Sequence, residues 1–218
     1  MQLLIVGATG LVGSQVLQQA LADSRITRVV APVRRALPAH PRLLAPIVDF
    51  EHLPEGADWW RADALVCTLG TTIKTAGSQP AFRRVDHDYP LLAARLAHRH
   101  GTPTYVLNSA MGADAGSRIF YNRVKGELED ALKAMDFTAL VLAQPSLLLD
   151  TREGLQQPPR LGEKIAIPLA KLLAPLLPGR YRPVRARAVA LALLRTVPTA
   201  QGLVVLASDD LARIGRVD

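Results

Sequence analysis

The sequence predicts an α/β protein built on a Rossmann-like, doubly wound parallel sheet, with a small carboxyl-terminal region covering the substrate side. Three observations carry that expectation. Short apolar runs alternate along the chain with stretches of helical periodicity. The runs are continuously apolar rather than alternating, as strands covered on both faces must be. The first run leads directly into Gly7, Gly10 and Gly13. Right-handed crossovers between such units produce the doubly wound arrangement.

The elements follow in order. QLLIV (2–6) reads as a buried strand, and 11–22 as a helix with Leu11, Val12, Val16, Leu17, Ala20 and Leu21 on one face. RVVAPV (28–33) reads as the second strand and APIVDF (45–50) as the third. ADALVCTLG (62–70) is the fourth strand with a glycine turn, followed by a polar loop, TTIKTAGSQP. A long helix is expected from about 81 to 100, stopped by Gly101. TYVLNSA is the fifth strand, 118–135 a helix, and FTALVLAQPS the sixth strand, ended by Pro145. Residues 151–185 break the rhythm with Pro158, Pro159, Pro168, Pro175, Pro178 and Pro183. They read as loops and short helices over the carboxyl edge of the sheet, a lid within a single domain spanning 1–218. A helix over 186–197 and a short strand, GLVVLA, complete the chain.

Bulk properties narrow the function classes. The net charge is +7, and residues 151–218 carry eleven Lys and Arg against five Asp and Glu. Such a basic face suits an anionic cofactor, an acidic partner or solvent. Aromatic residues are few and not interleaved with the cluster Arg180, Arg182, Arg185 and Arg187, which argues against nucleic acid. The one cysteine, Cys67, precludes an internal disulfide and reads as a buried small hydrophobe. Without a charged leader or a long apolar run, a cytoplasmic protein with no membrane span is expected. The five histidines show no metal-binding spacing, so no metal site is expected. The apolar, proline-broken stretch 165–178 has two open uses: to cover the pocket, or to form a surface for a homodimer or protein partner.

The three glycines stand where a strand becomes a helix. A tight turn needs one residue without Cβ, close approach of a phosphate a second, and packing of helix on strand a third. The helix N-terminus favours a diphosphate. Gly7, Thr9, Gly10, Leu11, Val12 and Gly13 are therefore the expected cofactor cradle. At the end of the second strand no carboxylate is available for ribose hydroxyls. Arg34 and Arg35 stand there instead, and a guanidinium can pair bidentately with a 2′-phosphate, so NADP(H) is expected over NAD(H).

Tyr121 and Lys125 are four residues apart in a predicted helix and so share a face. An ammonium beside a tyrosine hydroxyl favours the phenolate over an ordinary pKa of about 10. Such a tyrosine can exchange a proton with a carbonyl or alcohol oxygen while hydride moves to or from a nicotinamide. Ser109, at the carboxyl end of the fifth strand, is placed to donate a hydrogen bond to the same oxygen. Asp86 and Asp88 read as cap or surface residues near a helix start, a supporting role at the cofactor being the lesser alternative.

Taken together, GATGLVG, VCTLGTTIKTAGS, FRRVDHDY, LNSAMGAD, YNRVKGELE and QPSLLL resemble the atypical short-chain dehydrogenases/reductases. The branch is that of small NAD(P)-binding proteins holding the Tat-interacting oxidoreductase and its bacterial epimerase-like relatives. The resemblance spans roughly residues 1–210. It implies a Ser-Tyr-Lys triad at Ser109, Tyr121 and Lys125, with Lys125 also holding the nicotinamide ribose. It implies that Leu69, Gly70, Thr71 and Thr72 pass the phosphate and ribose side, and that Lys74, Pro145 and Ser146 border the nicotinamide. Gln144 stands where an arginine is more usual in that block, and the carboxyl-terminal lobe is short beside those of sugar-nucleotide epimerases. Both departures point away from a nucleotide-sugar substrate. The expected function is NADP(H)-dependent reduction of a small carbonyl compound. Alternatives are an NADP(H)-binding redox-sensing regulator and an epimerase or dehydratase with retained cofactor.

Overall fold

The computed structural model describes residues 1–150 and 178–216. Seven parallel strands form one sheet: β1 (Gln2–Val6), β2 (Arg28–Val30), β3 (Leu43–Leu44), β4 (Ala64–Cys67), β5 (Thr104–Asn108), β6 (Ala139–Gln144) and β7 (Gly202–Ala207). Their spatial order is β3-β2-β1-β4-β5-β6-β7. Strand order reverses between β1 and β4, and the crevice beyond the carboxyl ends at that reversal is where ligands bind in such sheets.

The pleat sorts each strand between two apolar layers. Leu3 and Ile5 of β1 pack with Val106 of β5 and Val141 of β6 on one side. That side is covered by α1 (Leu11–Ala22) and the helix Ala186–Thr196, labelled α6. Leu4 and Val6 turn the other way, with Leu65, Cys67, Tyr105 and Leu107, beneath α4 (Tyr89–Arg99) and α5 (Phe120–Lys133). Leu3, Leu4 and Ile5 are all fully buried, so β1 needs apolar residues on both faces. Each such side chain stabilises the fold by about 1.5–3 kcal/mol. In α5 the steps Val124, Leu128 and Leu132 bury one stripe, which anchors the helix that carries Tyr121 and Lys125. Truncating Leu128 to Ala is expected to cost about 2–5 kcal/mol.

Several elements differ from expectation. The third strand is Leu43–Leu44, not 45–50, which contributes only an isolated bridge between Val33 and Ile47. Pro46 has no N–H to give a ladder and Ile47 is exposed, so that segment pairs at one point only. The polar loop holds two short helices, α2 (Ile73–Ala76) and α3 (Gln79–Arg83), capped by the Thr72 and Ser78 hydroxyls. The long helix is interrupted by a wide π-type turn at Arg84–Asp88 before α4 begins. A last helix, α7 (Ser208–Ile214), follows β7 and was not foreseen. Most of the expected lid, residues 151–177, lies outside the described residues. Residues 178–185 return beside the end of the sixth strand: Val184 N–H donates to the Leu147 carbonyl at 3.1 Å, and Ser146 Oγ–H to the Arg182 carbonyl at 2.6 Å. Among the described residues no helix is long and apolar enough to cross a membrane.

Candidate functional site

At the β1–α1 junction the three glycines have three different duties. Gly7 sits at φ +93, and a Cβ there would lie 2.7 Å from the Leu69 amide nitrogen. Gly13 lies on the inner face of α1, where a Cβ would land on the Gly7 carbonyl oxygen. Gly10, the N-cap of α1, is different: its Cβ would meet nothing of the protein closer than 3.4 Å. The protein itself does not require glycine at that point, whereas a ligand pressed against the main chain would. No side chain caps α1 and no acidic residue occupies its first turn, so its leading N–H groups are free for an anion.

A cavity of about 540 Å³ opens beside this turn. It is lined by Gly7, Thr9 and Gly10, by Leu69, Gly70 and Thr71 after β4, by Asp49 and Phe50, and by Arg34 and Arg35. Both arginines are exposed. Tyr89 closes the far wall and donates its hydroxyl to Glu51 at 2.5 Å. Burial, and then the Glu51 carboxylate, push its hydroxyl pKa up to about 12.

A second cavity, of about 290 Å³, abuts the first and shares Gly10 and the residues Thr68–Thr71 with it. Leu11, Val12, Asn108, Ser109, Tyr121, Lys125, Pro145 and Ser146 line it. Tyr121, Lys125 and Ser109 thus converge, and Leu11 and Val12 reach this smaller cavity. Gly13 lines neither space: its expected contact with the cofactor is corrected to a packing role. Lys74, on α2, lines neither cavity, although Thr72 lines the second and Thr75 the first. The buried Phe82 ring lies 5.7 Å from the Tyr121 ring and fixes its orientation from behind.

Two carboxylates complete the site; the sequence offered Asp86 only as a lesser alternative and Glu129 not at all. Asp86, on the π-type turn, is buried rather than a cap or surface group. Its Oδ1 lies 2.8 Å from Lys125 Nζ, and its Oδ2 accepts from the Thr71 N–H at 2.7 Å. Burial opposes the Lys125 ammonium, but Asp86 and then Tyr121 outweigh it and hold the lysine pKa above its ordinary value. Glu129 is likewise buried; its Oε1 accepts from Ser109 Oγ–H at 2.5 Å. Gln144 Nε2 donates to both Glu129 oxygens, at 3.1 and 3.0 Å. The clue to Glu129 was present: Tyr121, Lys125 and Glu129 continue one four-residue step along a single face of α5. Asp86 stood only as a lesser alternative in the sequence, because the π-type turn rotates it off the regular helical pattern. Asn108 Oδ1 is buried with no hydrogen-bond partner among the described residues. Cys67 is fully buried and its thiol pKa is raised by that burial, which fits an inert core residue.

The chain was compared with known proteins. No family model matches it. Protein FMP52, mitochondrial, from Eremothecium gossypii is 34% identical over 179 residues, covering 79% of this chain and 77% of that protein. The chain belongs to that protein family, an atypical short-chain dehydrogenase/reductase family of the NAD(P)-binding, epimerase-like type. Protein HTATIP2 of Rattus norvegicus is 36% identical over 154 residues, covering 68% of this chain and 63% of the relative. Among solved structures, MoeE5 in complex with UDP-glucose and NAD superposes with a TM-score of 0.70 at 15% identity, over 99% of this chain and 81% of that one. Human epimerase family protein SDR39U1 with NADPH gives a TM-score of 0.61 at 16% identity, over 99% and 81%. At those identities the likeness shows the Rossmann-like fold. The cytoplasmic location expected from the sequence is overturned: the FMP52 relatives are named as mitochondrial proteins.

Proposed function

We propose that this protein is an NADP(H)-dependent oxidoreductase acting on a small carbonyl compound. The observation that carries the reading is the convergence of Ser109, Tyr121 and Lys125 on one cavity with the uncapped start of α1. The residues fit a dinucleotide: Gly10 leaves main chain bare where a Cβ would fill the cradle, and the helix start offers unpaired N–H donors. Gly10, Leu11 and Val12 would hold the diphosphate, with Thr9 and the Leu69, Gly70 and Thr71 loop beside it. Arg34 and Arg35 would take the 2′-phosphate.

When bound, the nicotinamide would supply or accept hydride. The protein's part is proton movement and positioning. Tyr121 Oη gives a proton to the substrate oxygen in reduction and takes it back in oxidation. Asp86 keeps the Lys125 ammonium in place and charged. Lys125 would also reach the nicotinamide ribose.

Titration with NADPH and with NADH, followed by assay against aldehydes, ketones and quinones, tests the reading. NADPH is expected to bind more tightly than NADH. Tyr121→Phe is expected to lower kcat by about 100-fold or more. A protein that binds neither nucleotide is not this enzyme. A cofactor that co-purifies and never exchanges would indicate the epimerase type instead.

A further inference from the structure

Ser109 has one hydroxyl proton, and Glu129 holds it. A serine hydroxyl donates one hydrogen bond and accepts two. Ser109 Oγ–H points at Glu129 Oε1, 2.5 Å away. Both Glu129 oxygens also accept from Gln144 Nε2, so each is already engaged as an acceptor. Among the described residues no cation pairs with Glu129: Gln144 is neutral, and Lys125, one turn before Glu129, is engaged by Asp86. Ser109 therefore turns lone pairs, not a proton, toward the smaller cavity. Asn108, whose Oδ1 is buried and without a hydrogen-bond partner among the described residues, also lines that cavity.

We propose that Glu129 is a positioning residue that makes Ser109 a hydrogen-bond acceptor, so that the pocket selects small carbonyl compounds bearing a neighbouring hydroxyl group. This rests on the oxidoreductase reading above and names its substrate class. The carbonyl oxygen faces Tyr121, the donor of the site, while the substrate hydroxyl donates to Ser109. A plain ketone offers Ser109 no proton and sets oxygen against oxygen. A site whose buried polar groups expect a partner strongly rejects an analogue lacking it.

The test uses two probe pairs with NADPH: hydroxyacetone against acetone, and 2-hydroxyacetophenone against acetophenone. The full-length protein is expected to favour the hydroxy member of each pair by about tenfold or more in kcat/KM. In Glu129→Gln the new amide accepts from Gln144 through its oxygen and donates its NH₂ to Ser109, which frees the serine proton. The preference should then fall to within about twofold of that of Ser109→Ala, mainly through a higher KM for the hydroxy probes. A purely structural Glu129 would lower kcat for both members equally and leave their ratio unchanged.

A second readout needs no substrate. In Ser109→Cys the infrared S–H stretch, after subtraction of the parent protein's Cys67 band, should lie at the low frequency of a thiol donating to a carboxylate. Adding Glu129→Gln should raise it; should that double variant not fold, the band of Ser109→Cys alone decides. A band at the unbonded frequency overturns the role given to Glu129. Equal turnover of both members of each pair, or of neither, overturns the substrate class. Failure of NADPH to bind overturns the oxidoreductase reading and the substrate class with it, while the band still reports on Glu129 by itself.

Discussion

At the glycine end of the cleft the chain offers a ligand its own main chain, over the few residues from Gly7 to Gly13. At the tyrosine end it offers side chains whose partners come from remote segments: Lys125 from α5 meets Asp86 from the π-type turn, and Ser109 after β5 meets Glu129 and Gln144. The first end is specified by what is missing, a Cβ. The second is specified by pairs of buried charges and dipoles, each costly when its partner is lost. A main-chain site therefore fails by obstruction and a paired site by abandonment, and the two failures differ in size.

The largest effect is expected at the paired end. Asp86→Ala strands the Lys125 ammonium in the core and should cost about 3–5 kcal/mol, read from urea unfolding midpoints at constant slope. A loss under about 1 kcal/mol would break the contrast between the two ends.

At the glycine end, Gly13→Ala forces a methyl against the Gly7 carbonyl and should cost about 1–3 kcal/mol. Gly10→Ala makes only ordinary van der Waals contact, 3.4 Å from the Gly7 carbonyl oxygen, so stability should change by less than about 1 kcal/mol. NADPH affinity should nevertheless fall about tenfold or more, since the added methyl occupies the cradle. If both variants lost stability and affinity together, the three glycines would not have separate duties.

Alkaline pH sharpens the paired end further. Lys125, Cys67, Tyr105 and Tyr89 all have pKa values raised in the folded protein. Each binds its proton more firmly folded than unfolded, so each contributes stability that is complete below its ordinary value and lost as pH rises through the folded one. Melting temperature should hold up to about pH 9 and then decline toward pH 12, from the ordinary cysteine value of 9.0 to the Tyr89 value of about 12. Asp86→Asn should flatten the Lys125 part of that decline.

The smallest structural effect belongs to the arginines. Replacing Arg34 and Arg35 together by Ala should change stability by less than about 0.5 kcal/mol, because both side chains are exposed. The ratio of NADPH to NADH affinity should fall about tenfold or more by fluorescence titration, with NADH binding unchanged.

The same contrast explains what could be read from the residues alone. The strand, glycine turn and helix at the amino terminus are local, and each choice there (apolar run, missing Cβ, helical stripe) agrees with the others. Tyr121 and Lys125 were legible because one helix carries both. Asp86 was not, because its meaning depends on a helix that stops being α-helical for one turn and on a lysine supplied by another element. Glu129 could have been followed from Lys125 by one further turn, but its serine partner lies beyond any local pattern. The third strand was misplaced because an edge element of two residues, Leu43 and Leu44, carries less apolar signal than the proline-flanked run after it.

The wide turn at Arg84–Asp88 carries one more consequence. Such a turn accommodates a single surplus residue within an otherwise regular helix. Excising that residue, for instance Val85, would restore uniform winding from α3 into α4 and swing one side of the junction about 100° around the axis relative to the other. One codon's deletion would thus be enough to withdraw the carboxylate from its lysine while leaving every strand of the sheet intact.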